Sequence, residues 1–265
     1  MAVITLLTDF GNRDEYVGVM KGVILSIAPD ACLVDITHEI DPMDRVQGAY
    51  ILAAAVDYFP KKSIHLAVVD PGVGSARAAV AVRCERHTFV APDNGVLSLV
   101  LSEKKIDMAV RIENEAVFQK PVSPTFHGRD IFAPAAAFLY AGNTMEKLGP
   151  TITADGLVRL PQEMMEQPFK DRVEGRVVAI DRFGNLMTNI TAQTLGAFRT
   201  QYQTIGIWIG NTCIATFAQT YSKVGEKQPL ALIGSRGYLE ISVNQANAGK
   251  QLNVLKGDRV VVAPL

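Results

Sequence analysis

Three short apolar runs, spaced by helical patterns, leave this chain few folds to choose from. Val3 to Leu7 closes on Thr8-Asp9, Cys32 to Ile36 follows, and Ser63 to Val69 closes on Asp70. Between the first two, apolar residues recur at Val19, Met20, Val23, Ile24 and Ile27, which predicts a helix over Tyr16 to Ile27 stopped by Ala28-Pro29. Asp44 to Phe59 predicts a second helix, with an alanine-rich face and a stop at Pro60. Strands alternating with helices imply a mostly parallel sheet layered by helices. Ala78 to Arg83 and Thr88 to Ala91 read as further strands joined by the short charged turn around Cys84 to His87. Val96 to Leu101 and Asp130 to Ala141 read as helices.

The pattern then changes. Residues 161–172, with Pro161 and Pro168 among Glu, Gln and Met, read as a linker. Beyond it strands dominate: Gly175 to Ile180, Thr204 to Ile209, Thr212 to Phe217, Leu230 to Ile233, Tyr238 to Val243 and Arg259 to Val262. The expectation is an α/β domain over 1–160 and an all-β domain, a small barrel or sandwich, over 173–265. With 48% hydrophobic residues in 265, both have material for a core.

Composition also narrows function. A net charge of −1 argues against a nucleic-acid surface. No apolar run approaches the ~20 residues that cross a bilayer, and the first residues show no basic, cleavable leader. Cys32, Cys84 and Cys213 are far apart and unpaired in pattern, as in a reduced compartment. A cytoplasmic protein without nucleic-acid or membrane partners is expected.

The chemistry-bearing residues gather where apolar runs end. Asp70 is followed by Pro71, Gly72 and Gly74, with Arg77 just beyond. A carboxylate at a strand end beside a glycine-rich turn is where open α/β sheets bind ligands. His127, in Phe126-His127-Gly128-Arg129-Asp130, is a candidate base, and Gly128 would let a ligand approach the backbone. Asp9 suits a ribose diol. Asp14 is a candidate at the same edge, although it suits the N-cap of the next helix better. Neither Gly-x-Gly-x-x-Gly nor a Walker-type loop is present, which favours a nucleoside over a dinucleotide or triphosphate. His38, Glu39 and Asp41 lack metal-ligand spacing and read as a solvated loop, with Asp44 capping the next helix. In the second domain, Asp181, Phe183 and Asn185 combine an anion, a ring and an amide. Ser235 and Arg236 add a hydroxyl and a fork for a carboxylate.

Taken in order, six segments resemble one family, the S-adenosylmethionine hydroxide adenosyltransferases, relatives of the fluorinating and chlorinating enzymes. They are Thr8 to Gly11, Val69 to Gly74 with Arg77, Ala91 to Gly95, Thr125 to Asp130, Asp181 to Asn185 and Ser235 to Glu240. The resemblance implies hydrolysis of S-adenosyl-L-methionine to adenosine and L-methionine, with no cofactor and no metal. It implies a homotrimer whose sites lie between the first domain of one subunit and the second domain of the next. By the same matching Asp70, Arg77 and His127 position a water or hydroxide. Asp9 holds the ribose, while Asp181, Ser235 and Arg236 hold the methionine end. Phe183, Asn185 and the backbone near Val243 hold the adenine, and Glu240 is an additional contact. The retained Asp-Arg-His set and the short turn at Cys84 to His87 favour hydrolysis over halogenation. A nucleoside sensor and a halide-dependent transferase are the alternatives.

Overall fold

The computed structural model describes residues 2–265. The chain divides into two compact units, Met1–Leu160 and Pro161–Leu265. Among the described residues no helix is long and apolar enough to cross a membrane.

The first unit runs β1 (Ile4–Thr8), α1 (Tyr16–Ile27), β2 (Leu33–Thr37), α2 (Arg45–Val56), β3 (Ile64–Val68), β4 (Ala79–Cys84), β5 (His87–Pro92), α3 (Ser98–Glu103) and β6 (Ile106–Arg111). A π-helical turn (Gly128–Phe132), α4 (Ala133–Tyr140) and β7 (Thr151–Ile152) follow. Its seven-stranded sheet has the order β2-β1-β3-β5-β4-β6-β7. The first four strands are mutually parallel, and β4, β6 and β7 extend them antiparallel. The mostly parallel sheet expected from the strand–helix alternation is therefore a mixed one. The physical reason is the tight turn at Glu85-Arg86, which folds β5 straight back on β4 and leaves no length for a crossover helix.

Alternation along β1 supplies both faces of this sheet. Ile4 and Leu6 join the core formed with Met20 and Ile24 of α1 and the alanines of α4. Leu7 joins a second core with Leu52 and Val56 of α2 and Leu97 and Val100 beside and within α3. The strands are buried on both sides, which is why they read as unbroken apolar runs. Asp44 caps α2, its carboxylate accepting from Gln47 N at 2.9 Å. At α1 the N-cap is Glu15, without a side-chain cap bond, so Asp14 does not cap that helix.

The second unit contains β8 (Gln167–Pro168), β9 (Val173–Ile180), β10 (Leu186–Thr191), α5 (Ala192–Gln201), β11 (Ile205–Ile209), β12 (Thr212–Ile214), β13 (Pro229–Ile233), β14 (Tyr238–Val243), α6 (Ala248–Leu252) and β15 (Arg259–Pro264). The sheet order is β12-β11-β15-β9-β10-β14-β13, with β8 on β9. The stretch after β12 turns onto β13: Ala231 N donates to Thr216 O at 2.8 Å and Ala218 N to Ala231 O at 2.9 Å. The sheet thereby curls into a nearly closed barrel around Val177, Leu186, Ile207, Ile241 and Val262. The domain is not all-β. Thr191 caps α5 by accepting from Thr194 N, and Asn247 caps α6 by accepting from Lys250 N. The strand expected over Thr212 to Phe217 ends at Ile214, and β10 forms directly after Asp181 to Asn185, where the sequence pattern predicts no strand.

Candidate active site

In the first unit the site grows from the carboxyl ends of two neighbouring parallel strands. Thr8 of β1 lies in register with Val68 of β3, so Asp9 and Asp70 leave the sheet at the same edge. Asp70 opens a turn in which Val73 N donates to Asp70 O and Ser75 N to Gly72 O. Gly74 has φ +76°, and a β-carbon there would lie 2.4 Å from Pro124 O. Only glycine allows the turn to press against the loop that leads into His127.

That approach assembles the three distant side chains. Arg77 Nε donates to Asp70 Oδ1 and Oδ2 at 3.0 Å each, and Nη2 adds a further bond to Oδ2. The same Nη2 lies 2.8 Å from His127 Nδ1. The Arg77 guanidinium also packs on the Phe132 ring, 5.1 Å from its centroid. Guanidinium has donors only, so Nδ1 is the acceptor and the neutral imidazole carries its proton on Nε2. Burial, with Arg77 acting in the same direction, holds the His127 pKa below its ordinary value against the pull of Asp70 and Asp130. His127 is thus a neutral ring that offers an N–H.

His127 precedes the π-helical turn, a deviation common at functional sites. Gly128 is not an opening for ligand: a β-carbon there would meet Met20 Sδ and Phe126 at 3.2 Å and Phe10 at 3.3 Å. It is small because the Phe10, Tyr16 and Phe126 rings close around it, with centroids 5.1–5.8 Å apart. This aromatic cluster ties the β1 loop to the His127 loop. Asp130 steadies the latter, taking two bonds from Arg129 and one from Ser123 N. Asp9 lies near Asp70. Burial raises its pKa, Asp70 adds to the rise, and Met43 N donates to its Oδ2 at 2.8 Å in partial compensation. Asp14 is exposed on the bend before α1.

The second unit holds a cleft of about 800 Å³. Asp181, Phe183 and Asn185 line it together with Ser235, Arg236, Glu240 and Val243. Asp181 Oδ1 accepts from the backbone N of Phe183 and Asn185, both at 2.9 Å, and Oδ2 accepts from Asn185 Nδ2 at 3.0 Å. The turn is pinned at Gly184, where a β-carbon would overlap Asn247. The Phe183 ring is left 78% exposed, a flat apolar face for a planar ligand. Arg236 Nη1 meets the thioether of Met187 at 3.2 Å. Glu240 is engaged by Tyr221 OH at 2.7 Å and Ser242 Oγ at 2.9 Å. Burial and then Glu240 push the Tyr221 hydroxyl pKa up to about 12.

Tyr221, Met187 and the Asn244 to Asn247 stretch also line this cleft and escape sequence reasoning. Tyr221 sits in a polar stretch whose only signal is an aromatic among Thr, Ser and Lys. Met187 reads simply as a strand residue.

Fold and site together define a two-part protein of the α/β-plus-barrel class, with a strand-end Asp-Arg-His set in one unit and a ring-and-carboxylate cleft in the other. Residues 4–149 match the model of the SAM hydroxide adenosyltransferase N-terminal domain, and 175–261 match that of the C-terminal domain. The chain belongs to the SAM hydroxide adenosyltransferase family. It is 38% identical to an (R)-S-adenosyl-L-methionine hydrolase of Thermus thermophilus, over 97% of this chain and 98% of that protein. It is 39% identical to one of Methanocaldococcus jannaschii, over 95% and 92%. A fluorinase of Nocardia brasiliensis is 28% identical over 98% and 96%. That alignment runs over 295 positions, more than the 265 residues here, so part of the fluorinase has no counterpart in this chain. Among solved structures, an uncharacterized conserved protein from Thermotoga maritima superposes with a TM-score of 0.89 at 36% identity, over 98% of this chain and 100% of that one.

Proposed function

We infer that this protein is an enzyme that hydrolyses S-adenosyl-L-methionine to adenosine and L-methionine. The observation that carries this reading is the Asp70–Arg77–His127 set, assembled within one unit of a chain that is 35–39% identical to proteins named as such hydrolases.

The reaction is displacement at C5′. A water oxygen forms the C–O bond, the C–S bond breaks, and its electron pair leaves on a neutral thioether. No acid is needed for the leaving group, and no cofactor is needed because the substrate brings its own activated bond. The water becomes strongly acidic as it bonds to carbon, so even a weak base can take its proton. Sequence reasoning gives that task to His127. With Nδ1 held by Arg77, however, the ring donates from Nε2 and orients the water oxygen. Asp70, the anion of the set, receives the proton, which then passes to solvent. Arg77 holds both partners at once. General-base help is worth ~10²–10⁴-fold, about 3–5 kcal/mol. Alignment of two reactants supplies ~7–11 kcal/mol. Orientation of the water therefore outweighs the strength of the base.

Asp9 holds the ribose diol. Asp181, Ser235 and Arg236 take the methionine end, Phe183 and Asn185 with the Val243 backbone take the adenine, and Asp14 and Glu240 are outer contacts. The two half-sites complete one another between subunits of a homotrimer. This follows from the family resemblance and suits half-sites that each lie wholly within one unit. Mixing Asp70→Ala with Asp181→Ala protomers, after dissociation and reassembly, then restores part of the activity that each lacks alone.

The decisive assay is incubation with S-adenosyl-L-methionine in ¹⁸O-water. Adenosine labelled at the 5′ oxygen is the expected product. Binding without product would identify a sensor, and 5′-chloro-5′-deoxyadenosine on adding chloride would identify a halide transferase.

A further inference from the structure

Behind the first half-site runs a chain of side chains that the reaction itself does not use. Lys21 Nζ donates to Asp35 Oδ2 at 2.6 Å. Asp35 Oδ1 lies 3.0 Å from His38 Nε2, and His38 Nδ1 lies 2.8 Å from Thr8 Oγ1. Thr8 Oγ1 in turn accepts from Phe10 N at 3.3 Å. The backbone closes a loop, with Gly11 N donating to His38 O at 2.7 Å. Thr8 is fully buried and His38 is 2% exposed.

The direction is set by the carboxylate end. The ionised Asp35 carboxylate only accepts, so the His38 ring places its proton on Nε2, which leaves Nδ1 to accept from the Thr8 hydroxyl. Nε2 makes no hydrogen bond among the described residues, so its 3.0 Å approach to Asp35 is an electrostatic contact. Burial pushes the Asp35 pKa up, but Lys21 and His38 outweigh it and hold the group below its ordinary value. The anchor at the outer end is therefore an anion.

The order of groups is that of a hydroxyl–imidazole–carboxylate catalytic set, yet burial of the hydroxyl excludes attack on a ligand. Its output is geometric. Thr8 and Gly11 bracket Asp9, so the chain fixes the backbone on both sides of that carboxylate while Met43 N holds one of its oxygens. We propose that the Asp35–His38–Thr8 chain is a positioning relay that aims Asp9 at the 2′,3′-diol of the ribose and sets the selectivity of this site for ribonucleosides over deoxynucleosides. The proposal rests on the reading of Asp9 as the ribose ligand.

The experiment compares binding of adenosine and 2′-deoxyadenosine by calorimetry to wild type, Thr8→Val, His38→Gln and Asp35→Ala. Each variant is first checked by thermal melting and circular dichroism. Wild type is expected to favour adenosine by tenfold or more. Thr8→Val, which keeps the volume and loses the hydroxyl, should cut that ratio to threefold or less by weakening adenosine alone. Asp35→Ala, at an exposed position, should act in the same direction, whereas His38→Gln keeps an acceptor and a donor and should retain much of the ratio. A relay that merely supports the fold would weaken both ligands alike, and an unchanged ratio in Thr8→Val and Asp35→Ala overturns the proposal. So does a wild type that binds both ligands equally. Failure of wild type to release adenosine from S-adenosyl-L-methionine overturns the hydrolase reading instead, and leaves the binding ratios to decide the relay.

Discussion

The two half-sites are built on opposite plans. In the first unit the functional groups are bonded to one another before any ligand arrives: Arg77 grips Asp70 through three bonds and His127 through a fourth. In the second unit the groups line an open cleft, and the Phe183 ring faces outward. Prebonded groups are costly to disturb but need no rearrangement during reaction, which is what aligning a single water requires. An open cleft with an arginine at its wall and an exposed ring suits capture of a substrate with separate base and amino-acid ends. The difference suggests that damage to the first unit falls on turnover and stability, and damage to the second on affinity.

Arg77→Met should produce the largest effect. It strands the carboxylate of Asp70, whose side chain is 5% exposed, and removing one partner of a buried pair costs about 3–5 kcal/mol. Adenosine release should fall by ~10³-fold or more, with a lower melting temperature; a variant with normal turnover would remove the prebonded set from the mechanism. Next, His127→Ala removes the N–H that orients the water and should reduce kcat by ~10²–10³-fold, leaving measurable catalysis from Asp70 and the rest of the pocket. The pH profile sharpens this. Because the His127 pKa lies below its ordinary 6.5, the neutral ring prevails at pH 7, and kcat should decline only as pH drops under that value and protonation breaks the Arg77 bond. An acid limb centred above 6.5 would contradict the tautomer assigned here.

Phe183→Ala should act on KM instead. Loss of a stacking ring is worth ~1–3 kcal/mol, or about 5–150-fold, and the melting temperature should hold because the ring is exposed. A fall in kcat with unchanged KM would erase the contrast between the two units. The smallest effect concerns acid stability. All four histidines lie in the first unit. His65, bonded to Thr5 Oγ1 and His87, is pushed down to about 3 by burial, with His87 and Lys104 adding to the shift. Between 6.5 and that value the unfolded chain binds a proton that the folded chain refuses, so stability is intact above 6.5 and drops as pH falls. The slope is ~1.4 kcal/mol per pH unit. Melting curves at pH 7.5 and 5.5 should show it, and His65→Gln should flatten it.

Much of the site is legible in the sequence where local chemistry decides. Asp70 before Pro71-Gly72 and Asp181 ahead of Phe183-Gly184-Asn185 mark strand ends and turns whatever the rest of the chain does. Gly128 is misleading, because its neighbours in space, Met20 and Phe10, lie more than a hundred residues away along the chain. Tyr221 escapes notice because its partner is set by strand pairing rather than by local sequence. Its role depends on Glu240, which reaches it only once β14 has paired into the barrel.

By itself, the order of apolar runs, helical spacings and glycine turns determined two units and the positions of the acidic strand ends, because those follow from hydrogen-bonding and burial within a few residues. Only the tertiary structure decided that Arg77 donates to His127, which fixes the imidazole tautomer. It also decided that Thr8, His38 and Asp35 form one line. Both depend on angles and distances of a few tenths of an ångström between segments far apart in the chain, and no local pattern encodes these.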